Sequence, residues 1–570
     1  MSNRNFDSRV IIQRLQAQNY ARNLYKNNVN GKQLINNPQT TDGNASVYNT
    51  FHTGSETMYF RGLLGGGETI SIGGTVNISP FIESTVIPTP PIPPTPPTPD
   101  LMVINILAGN GDTMTLPFDG ISSIEVDWGN SLISTYGPGA APSRIYSPAG
   151  GYSITIGGAA GSFGKLTPYT GASLISSVSQ WGTLGFSSLS GGFLNATNLV
   201  AVPNNIPSSV TDMTGMFAYA TAFNQSLNNW NTSSVINMNS MFVRATAFNQ
   251  SLNNWNTSSV INMSGMFSGA ITFNQSLNNW NTSRVINMGG MFTGARSFNS
   301  SINNWNTSSV INMNSMFDGA ITFNQSLNNW NTSSVTYMNS MFAYATAFNQ
   351  SLNNWNTSSV INMNSMFAYA TAFNSSINNW NTSSVTDMTS MFYGATAFNQ
   401  SLNNWNTSSV INMNSMFYGA TAFNQSLNNW NTSRVINMGG MFSGATAFNQ
   451  SLNNWNTSSV TNMDYMFSNA TAFDKPLNTW STSNVTSMSN MFDGALSFNQ
   501  PLNNWNTSSV INMTSMFDGA SSFVQDISGW STSIVSPLAD GMFCNCPMST
   551  SANTSFRPHI AYTSWISSCI

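Results

Sequence analysis

The chain is 570 residues long, 41% apolar and only 6% charged, with a formal net charge of −4. That length calls for several domains, and the apolar share is enough for a core. The charge is far below the usual quarter, and its slightly acidic balance excludes broad binding to nucleic acid or an anionic membrane. The three cysteines, Cys544, Cys546 and Cys569, are too few for a disulfide scaffold, and no apolar run reaches the ~20 residues of a membrane span.

Residues 1–87 read as a separate N-terminal module. Val10, Ala17, Ala21, Leu24 and Tyr25 fall on one side of a predicted helix over Ser8–Tyr25. Turn-rich segments follow at Asn36-Asn37-Pro38 and Asp42-Gly43-Asn44, then a predicted strand over Thr69–Ile72. The glycines Gly65–Gly67 are not followed by the Lys and Ser/Thr of a phosphate loop, so nucleotide binding is not expected. Seven of the fifteen basic residues (Arg4, Arg9, Arg14, Arg22, Lys26, Lys32 and Arg61) lie here, as solvated charge or as a contact for something acidic. The start lacks the basic-then-apolar pattern of a secretory signal.

The module's motifs are Ser8-Arg-Val-Ile-Ile-Gln-Arg-Leu15, Asn19-Tyr-Ala-Arg-Asn-Leu-Tyr25, Asn37-Pro38 with Asp42-Gly-Asn-Ala-Ser46, and Tyr59-Phe-Arg-Gly-Leu-Leu-Gly-Gly-Gly-Glu-Thr69. They resemble the N-termini of virion-associated proteins of large DNA viruses. The resemblance implies anchoring to a capsid or other virion protein through residues 1–87.

Residues 88–100 form a linker. Eight prolines between Pro88 and Pro99 forbid helix and ladder pairing, so a polyproline II spacer of about 37 Å is expected. Residues 101–165 alternate apolar and polar positions in short runs, Leu101–Leu107, Ile121–Trp128 and Tyr152–Ile156, separated by glycine turns. This is the pattern of a small β-sandwich. Asp127-Trp128-Gly129, then Tyr146 and Gly151-Tyr152, resembles the PKD-type immunoglobulin-like module, although Asn130 and Ser131 replace that family's second Asp and Gly. Asp127 and Trp128 are read as structural. Residues 166–209 are a worn first copy and cap of the array that follows, and 536–570 are its closing cap.

Residues 210–535 are one 25-residue unit written thirteen times, counted by tryptophans from Trp230 to Trp530. A fixed period of this size means a stacked array. Val235, Met238, Met241 and Phe242 recur at helical spacing after a Ser233/Ser234 cap, predicting a two- to three-turn helix; Ser251–Trp255 is predicted as a short strand. Thirteen strands at parallel-sheet spacing would make a rod of roughly 60 Å. Like side chains would then sit over like, with Trp255, Phe242 and Met241 as core ladders and Asn256 as a hydrogen-bonded amide ladder. That stacking accounts for the thirteen charged residues, none of them Glu, between Val210 and Val535.

The pattern Val-x-x-Met-x-x-Met-Phe-x-x-Ala-x-x-Phe-x-x-x-Leu-x-x-Trp-Asn-Thr-Ser resembles the leucine-rich-repeat class, specifically the BspA-like surface repeats of mycoplasma lipoproteins and other bacterial surface proteins. The resemblance implies an LRR-like superhelix used for adhesion or display, with no catalytic residues. The fold class expected is therefore an α+β repeat solenoid, a short strand plus a short helix per 25 residues, preceded by a small β-sandwich.

Most positions are nearly invariant between copies, but the two after each Met-Phe are not, so they are expected to line an exposed ridge. Tyr219 lies there, and Tyr344, Tyr369, Tyr393 and Tyr418 come from four successive units as an aromatic strip, the candidate binding surface. Drift at unconstrained positions is the alternative. The Thr232 column admits an ice-binding reading, and the recurrent Asn224-Gln-Ser226 and Asn231-Thr-Ser233 are glycosylation sequons. Cys546 or Cys544 can pair with Cys569. His52 and His559 are the only histidines and no triad or metal spacing occurs, so neither an enzyme nor a cofactor is expected. The expected function is a virion-surface or fibre protein contacting a host surface protein or glycan through the rod; self-association is left open. A bacterial-type cell-surface adhesin and a purely structural spacer are the alternatives.

Overall fold

In the computed structural model the described residues are 100–533, Val535, 540–550 and 555–558, together with two short strands nearer the N-terminus. The chain divides into two compact units, Met1–Ile92 and Pro93–Ile570. In the first, β1 (His52–Thr53) pairs antiparallel with β2 (Glu56–Thr57). The predicted helix over 8–25, the strand at 69–72 and the proline-rich linker fall outside the described residues.

The second unit opens with seven antiparallel strands: β3 (Met102–Ala108), β4 (Thr113–Thr115), β5 (Phe118–Asp127), β6 (Ile133–Tyr136), β7 (Ser143–Ile145), β8 (Gly150–Phe163) and β9 (Ile175–Trp181). They form a five-stranded sheet, β6-β5-β8-β3-β9, and a two-stranded one, β4-β7. Register carries the apolar alternation across the larger sheet: Val126 faces Ile156, Ile156 faces Met102 and Met102 faces Trp181, all four buried. The sheet does not stop at residue 165, because its edge strand β9 comes from the stretch read as a worn repeat. At the β5–β6 turn, one Asp127 oxygen accepts the N–H groups of Gly129, Asn130 and Ser131 at 2.9, 3.1 and 3.0 Å. Asp127 thus closes most of the turn, Asn130 Oδ1 accepting the Leu132 N–H beside it, with Gly129 and Ser131 at positive φ. Trp128 is buried beneath it.

The sheet passes into the array without a break. Ser162 bridges in parallel to Ser188, Ser188 to Asp212, and Asp212 to Asn237. Phe163 and Trp181 both meet Phe193, at 5.5 and 6.1 Å, and Phe193 stacks on Phe217 at 5.5 Å, carrying ring contacts across the junction. One apolar core therefore runs from Met102 to Met548, and the β-domain covers what would otherwise be an open end of the stack.

The array itself is a solenoid of turns. Among the described residues the predicted helices are absent: residues 235–245 form successive tight turns. The reason is the backbone. Ser240 and Arg244 adopt φ of 57° and 52°, Gly265 and Gly269 φ of 62° and 69°, so a left-handed residue interrupts each would-be helical turn. Hydrogen bonds alternate accordingly. Met241, Val243 and Ala245 donate three residues back, to Met238, Ser240 and Phe242. Met238, Ser240, Phe242 and Arg244 donate sideways to Asn262, Ser264, Met266 and Ser268 of the next coil, at 2.7–3.0 Å. Apolar spacing that fits one helical face also fits this turn ladder. The predicted strand at 251–255 is likewise a turn, with Trp255 N–H donating to Leu252. β pairing instead falls on a single residue per coil, the Asn of Val-Ile-Asn, as parallel bridges from Asn237–Asn262 through to Ser487–Asn512.

Candidate binding ridge

Each coil has an interior that cannot vary and a rim that can. Val235, Met238, Met241, Phe242, Phe248, Leu252 and Trp255 are all buried, as are their counterparts in every unit. Rings stack on their own copies: Trp330 lies 6.2 Å from Trp355 with planes 4° apart, and Trp255 lies 6.4 Å from both Trp230 and Trp280. Each indole also donates to the preceding coil, Trp255 Nε1 to the Leu227 carbonyl at 2.9 Å. This satisfies an otherwise buried N–H.

Two polar ladders differ from expectation. Asn256 is exposed, and its side-chain oxygen accepts the N–H of Ser258 in its own coil, a local Asx turn and no ladder. The amide ladder is the Asn224 column instead: Asn224 Oδ1 accepts Asn249 N–H, Asn249 accepts Asn274, and Asn274 accepts Asn299, at 2.8–2.9 Å. The second ladder is the threonine column. Thr232, Thr257 and Thr282 are buried and donate to Asn256, Asn281 and Asn306 carbonyls, which removes the ice-facing reading. Sequence reasoning also missed an exposed column one residue after each Val, including Ile236, Ile286, Ile311, Ile436 and Ile511. The one-in, one-out alternation around the bridging Asn was the available signal.

The cysteine expectation changes as well. Cys544 is disulfide-bonded, whereas Cys546 is a buried free thiol pushed up to about 11 by burial. Cys546 lies beneath the stack, its sulfur pointing at the Phe523 carbonyl. Cys569 is outside the described residues.

The predicted ridge residues come together. Tyr344, Tyr369 and Tyr418 are exposed and Tyr393 half-buried. Their rings follow one another at 4.7, 5.1 and 4.5 Å; the outer pairs are parallel, the central one tilted by 53°. Burial, then hydrogen bonding to Tyr369, pushes the Tyr393 hydroxyl up to about 12. Tyr219 stands apart, with the Arg244 guanidinium 5.5 Å over its ring. Spacing between like rings widens across each coil, from 4.5–4.7 Å for the parallel tyrosine pairs, through 5.4–5.9 Å in the Phe217–Phe543 column, to 6.0–6.5 Å between tryptophans. The ridge therefore lies on the narrow side of a fanned stack, where side chains of neighbouring coils are drawn together.

Ridge acids are perturbed by the same crowding. Burial raises Asp318, and burial together with neighbouring Asp518 raises Asp493. Among the described residues no group of three or more His, Cys, Asp or Glu is placed to hold a metal ion, and no helix is long and apolar enough to cross a membrane.

Comparison with known proteins adds the family. The description "Mycoplasma protein of unknown function, DUF285" matches four overlapping stretches, 187–302, 272–379, 362–478 and 436–556. No curated protein matches the chain. Among solved structures, the TLR13–ssRNA13 complex aligns at 9% identity with a TM-score of 0.13, over 62% of this chain and 74% of that one; a similarity of that size carries no argument. The four family matches span well over half of the sequence and coincide with the turn solenoid, and the chain belongs to the DUF285 repeat family.

Proposed function

We propose that this is a non-enzymatic surface-display protein whose solenoid holds a variable ridge out for contact with another surface. One observation carries the reading. The columns that fill the interior are nearly invariant along the array, while the residues from Ala218-Tyr219 to Asp518-Gly519 change from coil to coil on the rim. A scaffold with no contact to make has no use for an exposed four-tyrosine strip. The half-cystine Cys544 fits an oxidising setting.

In this reading the rod belongs to a virion surface, held through residues 1–87, whose motifs resemble virion-associated N-termini, and it attaches to a host protein or glycan. Cross-linking of purified particles should join residues 1–87 to a capsid or other virion protein. The DUF285 match favours a second reading, a cell-surface adhesin of BspA-like type. A protein that fractionates with cell envelopes and never with particles would select it. For either, cell attachment of the full chain should fall when Tyr344, Tyr369, Tyr393 and Tyr418 are changed to Ser together; unchanged attachment would leave the spacer reading.

A further inference from the structure

We propose a saccharide-binding notch on the ridge, between Arg244 and Tyr344, in which a sugar ring stacks on the open face of Tyr344. The inference rests on the attachment reading and gives that contact a chemical class.

Long side chains at the second ridge position lean onto the following coil. A Cβ on Gly269 would meet Arg244 Cγ at 2.8 Å, and one on Gly394 would meet Tyr369 Cδ1 at 2.8 Å. Tyr344 likewise pairs forward with Tyr369, at 4.7 Å and 16°. Its backward face thus looks over Gly319, which offers no side chain. A Cβ on Gly319 or Gly294 would touch only the backbone of the preceding glycine, at 3.5 and 3.8 Å. The space above these two coils is therefore bounded by the Arg244 side chain at one end and by a tyrosine face at the other. Three coil steps separate Gly269 from Tyr344, about 14 Å at strand spacing, room for one or two pyranose rings.

Tyr369 and Tyr393 each lie between two rings, and Tyr418, the other end of the strip, leans onto Gly440 of the next coil, so Tyr344 is the ring that faces the bare coils. Aromatic faces carry negative quadrupole density and attract the weakly positive C–H face of a sugar. Asp318, half-buried, immediately precedes Gly319 in the same coil, and burial raises its carboxyl. It is an acceptor for sugar hydroxyls. Arg244, braced on Tyr219, is the donor at the far end. An aromatic platform with a few convergent polar groups is the make-up of a small-molecule site.

The array supplies its own blocking variant. Tyr occupies the column of Gly319 at Tyr344 and Tyr369, with φ of 54° and 56° against 67° at Gly319. Gly319→Tyr should extend the stack by one ring and fill the notch without unfolding the rod. Titrations of the full chain with chitotetraose, cellotetraose, mannotetraose and sialyllactose, by calorimetry and saturation-transfer NMR, test this. At least one sugar should bind. Gly319→Tyr and Tyr344→Ser should each weaken it by about tenfold, the order of one aromatic contact, and Ile436→Thr, exposed but off the ridge, should leave it unchanged. Binding to none of the four, or binding that survives both notch variants with melting curves unaltered, overturns the proposal. If Gly319→Tyr melts early, Tyr344→Ser decides. Cell attachment lost in the four-tyrosine variant but kept in Gly319→Tyr would sink the notch and leave the attachment reading standing.

Discussion

Trp355→Ala probes the stacking most directly. The indole is 3% exposed, lies 6.2 and 6.3 Å from Trp330 and Trp380, and donates to the Leu327 carbonyl at 3.2 Å. Removing it deletes roughly 200 Å² of buried apolar surface, about 5 kcal/mol at 25 cal/mol per Å². That upper figure agrees with the 3–5 kcal/mol typical of Trp→Ala in cores. The Leu327 carbonyl also loses a donor, and two neighbouring rings lose a partner. Because repeat stability is a sum of nearest-neighbour terms, the loss should concentrate at coils 330–380 and split a single denaturation transition into two. Urea unfolding followed by tryptophan emission, with amide exchange to locate the opening, reads both effects. Tyr344→Ala on the rim is the control and should cost under about 1 kcal/mol. If Trp355→Ala costs no more than that control, the interior ladder is not what holds the coils together.

The other ladders can be tested one rung at a time. Thr357→Val keeps the shape but removes the hydroxyl that donates to the Asn381 carbonyl at 2.9 Å, and should cost about 1–3 kcal/mol in urea titration. Asn349→Asp should be close to neutral at pH 7, since Asp474 already fills that column and accepts Asn499 N–H; Asn349→Leu strands the N–H of Asn374 and should melt earlier. Asp493 binds its proton more tightly folded than unfolded, so its contribution is intact below the unfolded value of 3.8 and is lost as pH rises through the raised folded value. Asp493→Asn should therefore raise the melting temperature at pH 7 and change nothing below about pH 3.5. Buried and pushed up to about 11, Cys546 should resist iodoacetamide in the native protein and react only in denaturant, as peptide mapping by mass spectrometry will show.

The array's period, its buried columns and its exposed tyrosine strip were all legible, because each depends on side-chain identity at a fixed spacing. Secondary structure was not. Val235, Met238, Met241 and Phe242 serve a helix and a turn ladder equally, and the discriminating fact is a backbone one. Gly265 and Gly269 hint at positive φ, but Ser240 and Arg244 hold the same conformation with no sign of it in their side chains. The role of Asn256 was misjudged for a related reason. In this sequence several Asn columns repeat at 25 residues, and only geometry separates those that reach across coils, such as Asn249, from those that turn back on their own. The cysteine pairing lay beyond any pattern, since Cys544 and Cys546 are two residues apart and equally placed in the sequence.

The scarcity of charge follows from the stacking of like side chains over like. Any side chain in a column sees its counterpart about 5–6 Å away on both sides. Two like charges at that distance repel by about 0.7–0.8 kcal/mol even in bulk water, and by more near a protein surface. Repeated thirteen times the cost is prohibitive, whereas amides and hydroxyls in the same places donate and accept along the stack. The exceptions bear this out. Asp474 stands in the Asn column between neutral Asn449 and Asn499 and is well used, accepting two hydrogen bonds from the next coil. Asp493 and Asp518 stand in adjacent coils, and Asp518 helps to raise Asp493. A charge costs least when its neighbours in the column are not charged alike, and the like pair Asp493 and Asp518 shows the cost as a raised carboxyl. The rim after Met-Phe is one place where this repeat is broken, and Arg244, Asp318, Asp493, Asp518 and five tyrosines stand there.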